Sequence, residues 1–203
     1  MRELYELTTL AFPLLSASEV AKAARDWVSM PDAVGALLGC WRTEIGPLGR
    51  MLLILRRFDD ASALQRERNR ALSSANPFNA GGVITALEMD SYMPFPFLPP
   101  AQAATHDVVY EFRTYKLKPG GLPPTLAGWE AAIAPARDYT AHLMINMYAL
   151  DGPPRITHVW GVDSLAQRAS LRTAAYSAGI WPPKGGPENI LEAISIIALP
   201  ESE

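Results

Sequence analysis

Tyr110-Glu111-Phe112-Arg113-Thr114-Tyr115-Lys116-Leu117-Lys118-Pro119-Gly120 reads as a β-strand running into a turn, and a degenerate copy of its opening, Tyr5-Glu6-Leu7-Thr8-Thr9, stands near the N-terminus. The two tyrosines are 105 positions apart. Self-similarity at a fixed spacing is read before any single element, because missing it misassigns the whole fold. Other landmarks keep nearly the same spacing: Trp27 with Trp129, Gly46-Pro47 with Gly152-Pro153, Asp59 with Asp163, and Arg68 with Arg172. The small drift between them points to short insertions in loops. The chain therefore divides into two halves, residues 1–92 and 108–203, joined by a Pro- and Phe-rich linker over 93–107.

Both halves predict the order β-α-β-β-α-β. In the first, strands are expected over 4–10, 37–45, 51–58 and 83–89. One helix carries Val20, Ala23, Ala24, Trp27 and Val28 on a single face, and Ser16 with Glu19 forms a capping-box pattern at its start. A second helix covers 62–72. In the other half, strands are expected over 108–117, 142–149, 156–162 and 191–199. Pro123-Pro124 opens one helix, with Leu126, Trp129 and Ile133 on one face, and Ser164 with Gln167 opens another that runs through Tyr176. The connector Tyr92-Met93-Pro94-Phe95-Pro96-Phe97-Leu98-Pro99-Pro100 reads as an extended strap, since proline removes ladder donors. A single β-α-β-β-α-β unit leaves one sheet face bare. Two units cover that face by placing their sheets together. The expected fold class is α+β: tandem ferredoxin-like repeats closing into a single-chain, eight-stranded dimeric α/β-barrel, a pseudo-dimer.

Composition excludes several function classes. A formal charge of −3 gives no reason to expect nucleic acid or an anionic membrane as partner. Cys40 is the single cysteine, so an intrachain disulfide and a cysteine-rich zinc site are both ruled out. No basic, then apolar leader opens the chain, and no apolar run reaches the ~20 residues of a membrane helix, so a soluble cytoplasmic protein is expected. Gly81-Gly82 and Gly185-Gly186 lie before strands rather than between strand and helix, which argues against a nucleotide-phosphate loop. No GxSxG is present. No HxH, HExxH or CxxC spacing supports a metal site.

The run from Tyr110 to Gly120 resembles the opening strand of NIPSNAP domains. His158-Val159-Trp160, Asp163-Ser164-Leu165, Arg168 and Arg172 are similar to that family's third strand and second helix start. Trp41-Arg42-Thr43-Glu44-Ile45-Gly46-Pro47-Leu48 resembles its second strand and turn, and Met93 to Pro99 its Pro- and Phe-rich tail. The resemblance implies the dimeric α/β-barrel fold without implying one reaction. Relatives in the wider superfamily include cofactor-independent monooxygenases, cyclases, lactone isomerases and haem enzymes. The first half departs from the pattern: Thr8 stands for Arg113, Ile54 or Leu53 for His158, and Arg56 or Leu55 for Trp160.

All three histidines, His106, His142 and His158, lie in or beside the second half. Strand alternation puts His158 with Trp160 on one face, His142 with Asn146 and Tyr148 on one, and Glu111, Arg113 and Tyr115 on another. Matching parities would line a mostly apolar cavity with a few convergent polar groups. On this reading His158, then His142, is the catalytic candidate as general base. Arg113 would hold a carboxylate or enolate, or pair with Glu111. Tyr115, Tyr148 and Asn146 are candidate ligand contacts, Trp160 a wall and Trp181 a lid. His106 is expected to be exposed. The leading expectation is a cofactor-free enzyme acting on a small apolar or aromatic metabolite by His-assisted proton transfer (isomerase, cyclase, lyase or monooxygenase type). The alternatives are a non-catalytic ligand-binding or interaction module and, by resemblance only, a haem protein. Further self-association of the pseudo-dimer into a homo-oligomer is compatible with all three.

Overall fold

The computed structural model of the chain describes residues 3–46, 50–104 and 108–201. The first half runs β1 (Leu4–Ala11), α1 (Ala17–Val28), β2 (Ala36–Ile45), β3 (Met51–Phe58), α2 (Ala61–Leu72) and β4 (Ala86–Pro94). The second runs β5 (Val109–Leu117), α3 (Leu122–Ile133), a one-turn α4 (Arg137–Thr140), β6 (Leu143–Ala149), β7 (Arg155–Val162), α5 (Leu165–Ser177) and β8 (Ile190–Pro200). The fold is α+β. Among the described residues no helix is long and apolar enough to cross a membrane.

The strands close into an antiparallel barrel in the order β1-β3-β2-β8-β5-β7-β6-β4. Each half contributes its strands in one sequence, β4-β1-β3-β2 and β8-β5-β7-β6, and the halves meet at β2–β8 and β4–β6. Alternation sorts side chains between the two faces. Tyr5, Trp41, Leu55, Phe112, Met147 and Val159, all buried, meet in one inner cluster to which every strand contributes. On the outer face, α1 packs Val20, Ala24 and Trp27 over Leu10, Leu52 and Ile54. Across the barrel, Trp129 of α3 and Ala175 of α5 cover Ile156 and Trp160.

Three details differ from the sequence reading. The Ser16 side chain makes no capping bond. The expected pattern is made at Ser164, whose hydroxyl accepts from the Gln167 amide at 3.1 Å while the Gln167 carboxamide accepts from the Asp163 amide at 2.7 Å. The fourth strand runs well beyond residue 89, and Tyr92, Met93 and Pro94 pair with Ala149, Tyr148 and Met147. The linker therefore opens after Pro94, where a missing N–H ends the strand without breaking it. From there Phe95 buries itself beside Trp129, and the Ala104 amide donates to the Leu38 carbonyl at 2.8 Å. The turn at 47–49 and His106 lie outside the described residues.

The outer face of the first half carries a dry ion cluster. Arg56 donates to Glu6 at 2.7 Å and to Glu67 at 2.6 Å, and each of the three is at most 1% exposed. Burial pushes the Glu67 carboxyl up, but hydrogen bonds from Arg70 and Arg56 outweigh it and leave the group below the ordinary carboxylate range. Removing one partner strands a buried charge. Arg56→Met is expected to lower the unfolding free energy by about 3–5 kcal/mol in urea denaturation. A loss under about 1 kcal/mol would mean that the carboxylates find water instead.

Candidate functional site

The register of the barrel lays one row of four side chains across the outer face of the second half. Ser195 pairs with Arg113, Arg113 with His158, and His158 with Asn146. Cross-strand partners of this kind have Cβ atoms about 5 Å apart. The equivalent row in the first half is Met89, Thr8, Ile54 and Cys40. The structure thus resolves the sequence ambiguity: Ile54, not Leu53, stands in the place of His158, and Arg56 in that of Trp160. One half fills this row largely with apolar groups and the other with polar ones.

A cavity of about 140 Å³ opens over Arg113 and His158, between the sheet, α3, α5 and the loop before β8. Trp129, Tyr115 and Trp181 form much of its wall, with Pro182 and Pro183 on the loop side. Tyr176 and Pro182 are exposed at the rim, so the cavity reaches solvent there. The loop is held close to α3 because Gly128 lacks a side chain: a Cβ at that position would sit 2.1 Å from the Lys184 carbonyl oxygen.

His158 is fully buried. Its Nδ1 lies 2.5 Å from the indole Nε1 of Trp160, two residues along on the same strand face. Indole N–H is a donor only, so Nδ1 must be the acceptor. Burial, followed by the positive charges of Arg113 and Arg172, holds the imidazole pKa well below its ordinary value, so the ring is neutral. A neutral imidazole with a bare Nδ1 carries its proton on Nε2. That Nε2 makes no hydrogen bond to any described residue. His158 lines the cavity, and its Nε2–H is a buried donor without a described partner. The base role expected for it needs a lone pair at Nε2, and this tautomer has none there.

Arg113 is the second donor. Its Nε is 3.8 Å from Glu111, too far for a hydrogen bond, and its guanidinium stands 5.2 Å from the Tyr115 ring centroid. Glu111 is taken up elsewhere, by Arg168 at 2.8 and 2.5 Å and by the Ser195 hydroxyl at 2.5 Å. Burial raises the Glu111 carboxyl, but the bonds from Arg168 and Ser195 and the charge of Arg113 outweigh it, so it stays ionised. Burial pushes the Tyr115 phenol up, keeping it neutral.

The structure brings together His158, Arg113, Tyr115 and Trp181, while Trp160, Glu111 and Asn146 adjoin them from the same face. Trp181 is 5% exposed and packs edge-on to Trp129 at 4.9 Å, so it is a wall of the cavity rather than a loose lid. Asn146 is fully buried, and neither side-chain polar atom hydrogen-bonds to a described residue. Tyr148 is half-buried beside Ile156 and does not line the cavity. His142 is not in the site. It precedes β6, its Nδ1 lies 3.2 Å from the Gly161 carbonyl, and it borders a separate pocket with Gln102 and Tyr110. A register shift between Leu143 and Ile145 breaks the alternation that had aligned it with Asn146. Trp129, Thr125 and Tyr176 were not foreseen as lining residues. For Trp129 the signal was its place on the apolar face of α3. Among the described residues, no cluster of three or more His, Cys, Asp or Glu is arranged to hold a metal.

The NIPSNAP family model matches residues 110–199, which span β5 to β8 and hence the cavity-bearing half. Solved structures share the fold over the whole chain, among them the three that follow. A "putative monooxygenase" from Lactobacillus acidophilus is 15% identical with a TM-score of 0.66, over 100% of this chain and 95% of its own. One of the same description from Fusobacterium nucleatum is 10% identical with a TM-score of 0.68, over 99% and 93%. An "anthrone oxidase-like protein" is 11% identical with a TM-score of 0.61, over 100% and 92%. No curated protein sequence matches the chain.

The Trp160 bond has two measurable consequences. Nitrogen-15 NMR should show His158 as the neutral Nε2–H tautomer, and Trp160→Phe should release Nδ1 and admit the other tautomer. Since the folded pKa is depressed, the unfolded chain takes up the extra proton below about pH 6.5, and stability falls with pH in that window. Between pH 6.5 and 5.5 the wild type should lose about 1 kcal/mol more than His158→Gln. Equal slopes for the two proteins would mean that His158 titrates normally. Gly128→Ala, independently, should push the 182–184 loop off α3 and lower the melting temperature.

Proposed function

We propose that this chain is a small-molecule enzyme whose second half holds a metabolite by an oxyanion, with the Nε2–H of His158 and the guanidinium of Arg113 as fixed donors. The observation that carries this reading is that His158, with a buried and unpartnered Nε2, lines a cavity beside Arg113. Donors fixed in a water-poor site stabilise negative charge on a ligand oxygen without having to reorganise. Such a site suits a substrate that enters ionised, or ionises as it reacts, in an isomerisation, cyclisation, elimination or oxygenation. A proton would have to be removed by solvent or by the substrate's own chemistry, not by His158. The family match over residues 110–199 and the descriptions of the fold neighbours are compatible with such activity.

The first half, on this view, is a second copy of the same unit that completes the barrel. The identical strand order and the matching registers of the two halves support a tandem pseudo-dimer, with units meeting at the strap after Pro94. Haem at His158 is disfavoured by size. At about 140 Å³ the cavity falls below the range usual even for drug-sized ligands, and the other ring nitrogen is engaged by Trp160. A binding module without turnover is the second reading. It is favoured by one observation, that none of the described lining residues is a carboxylate able to act as base.

The test follows the His158 Nε2–H proton by NMR during titration with a panel of small aliphatic and aromatic carboxylates and phenols. A saturable downfield shift with members of the panel, lost in Arg113→Met, is expected. No shift with any of them at millimolar concentration would sink the oxyanion reading. A ligand that binds but is recovered chemically unchanged would favour the binding module.

A further inference from the structure

Resting on the reading of this cavity as an oxyanion site, we infer that its ligand is a monocyclic aromatic monoanion, with the oxyanion attached to or conjugated with the ring and directed at His158 and Arg113. Size sets the first limit. The cavity is about 140 Å³, and an apolar protein cavity of about 150 Å³ accommodates benzene. One six-membered ring with a short acidic group fills it. A fused bicycle exceeds that volume and would have to project past Tyr176 and Pro182 at the rim.

Shape sets the second. Trp129 and Trp181 stand at 87° with centroids 4.9 Å apart. The His158 ring meets Tyr115 at 77° and 4.9 Å, and Trp129 at 63° and 5.1 Å. Near-perpendicular rings present a π face on one side and ring edges on the next, which is how aromatic groups pack best. Pro182 and Pro183 extend the apolar wall. A flat unsaturated ring makes both kinds of contact; a puckered saturated ring makes neither well.

Charge sets the third. Arg113, Arg168 and Arg172 surround Glu111, at 3.8, 2.5 and 4.0 Å, so three cations face one carboxylate. Only Arg113 of the three reaches the cavity, which fits one negative charge rather than two. The two N–H groups beside each other at the cavity donate and do not accept: guanidinium has no acceptor, and the neutral His158 carries its proton on Nε2, whereas the Thr125 hydroxyl gives its proton to the Gly121 carbonyl at 2.8 Å and adds no further donor. The polar end of the ligand must therefore be an acceptor. A carboxylate and a phenolate both qualify.

Quenching of tryptophan fluorescence in the full-length protein tests this, using benzoate, 4-nitrophenolate, benzamide, cyclohexanecarboxylate and 1-naphthoate as probes. Benzoate or 4-nitrophenolate should bind saturably. Benzamide, cyclohexanecarboxylate and naphthoate should each bind at least about tenfold more weakly, and Arg113→Met should weaken the anionic probes by a similar factor. Comparing the two anions tells carboxylate from phenolate. Benzamide binding as well as benzoate would remove the charge argument, and naphthoate doing so would remove the size argument; either overturns the inference. Should Arg113→Met not fold, Trp181→Leu carries the test through loss of the ring preference. Aliphatic oxyanions shifting His158 while no aromatic probe binds would overturn the aromatic class alone and leave the oxyanion site standing. Silence from both kinds of probe would remove the site itself.

Discussion

Closing eight strands into a barrel leaves no strand edge free and encloses one face of every strand, and that constraint shapes the rest of the molecule. The inner face must be filled by side chains alone, mostly large apolar groups such as Tyr5, Trp41, Phe112 and Met147, with Thr157 hydrogen-bonded to the Tyr92 hydroxyl among them. Several charged strand residues lie on the outer face yet are buried there, Glu6, Arg56 and Glu111 each at most 2% exposed. There they must satisfy each other or cost stability. Glu6, Arg56 and Glu67 do so in one half, and Glu111 with Arg168 and Ser195 in the other.

The two outer layers solve the same geometric problem differently. In the first half Arg56 occupies the position of Trp160, and its guanidinium is consumed by two buried carboxylates. Ile54 then packs where His158 would be. In the second half Trp160 holds one nitrogen of His158 and leaves the other without a partner, while Glu111 is drawn away from Arg113 by Arg168. The apolar layer closes on itself, and the polar layer keeps a cavity with two donors at its floor. A single exchange of Arg for Trp on a strand thus changes what the neighbouring positions can do.

The element order and the α+β barrel were legible because periodicity and spacing are local properties of a chain. Strand alternation correctly grouped Glu111, Arg113 and Tyr115, and His158 with Trp160. It misplaced His142, because a bulge between Leu143 and Ile145 shifts the register in a way no side chain announces. Prolines at 94 and beyond hid the end of β4, although a final paired residue needs no further donor. Which nitrogen of His158 is left without a partner depends on a hydrogen bond between side chains, yet the His-x-Trp spacing on a single strand face carried the hint. Trp129, Thr125 and Tyr176 come from helices whose docking angle is a tertiary property.

The strap from Phe95 to Ala104 fastens both halves to one backbone. Two subunits that meet by diffusion assemble only above some concentration, whereas tethered partners see each other at an effective concentration in the millimolar range whatever the dilution. Tethering also removes a constraint of symmetry. In a twofold assembly of identical subunits, every substitution appears twice and must suit both places at once. Here Ile54 and His158 hold corresponding places in the two halves but are encoded separately, so a substitution at one need not suit the other.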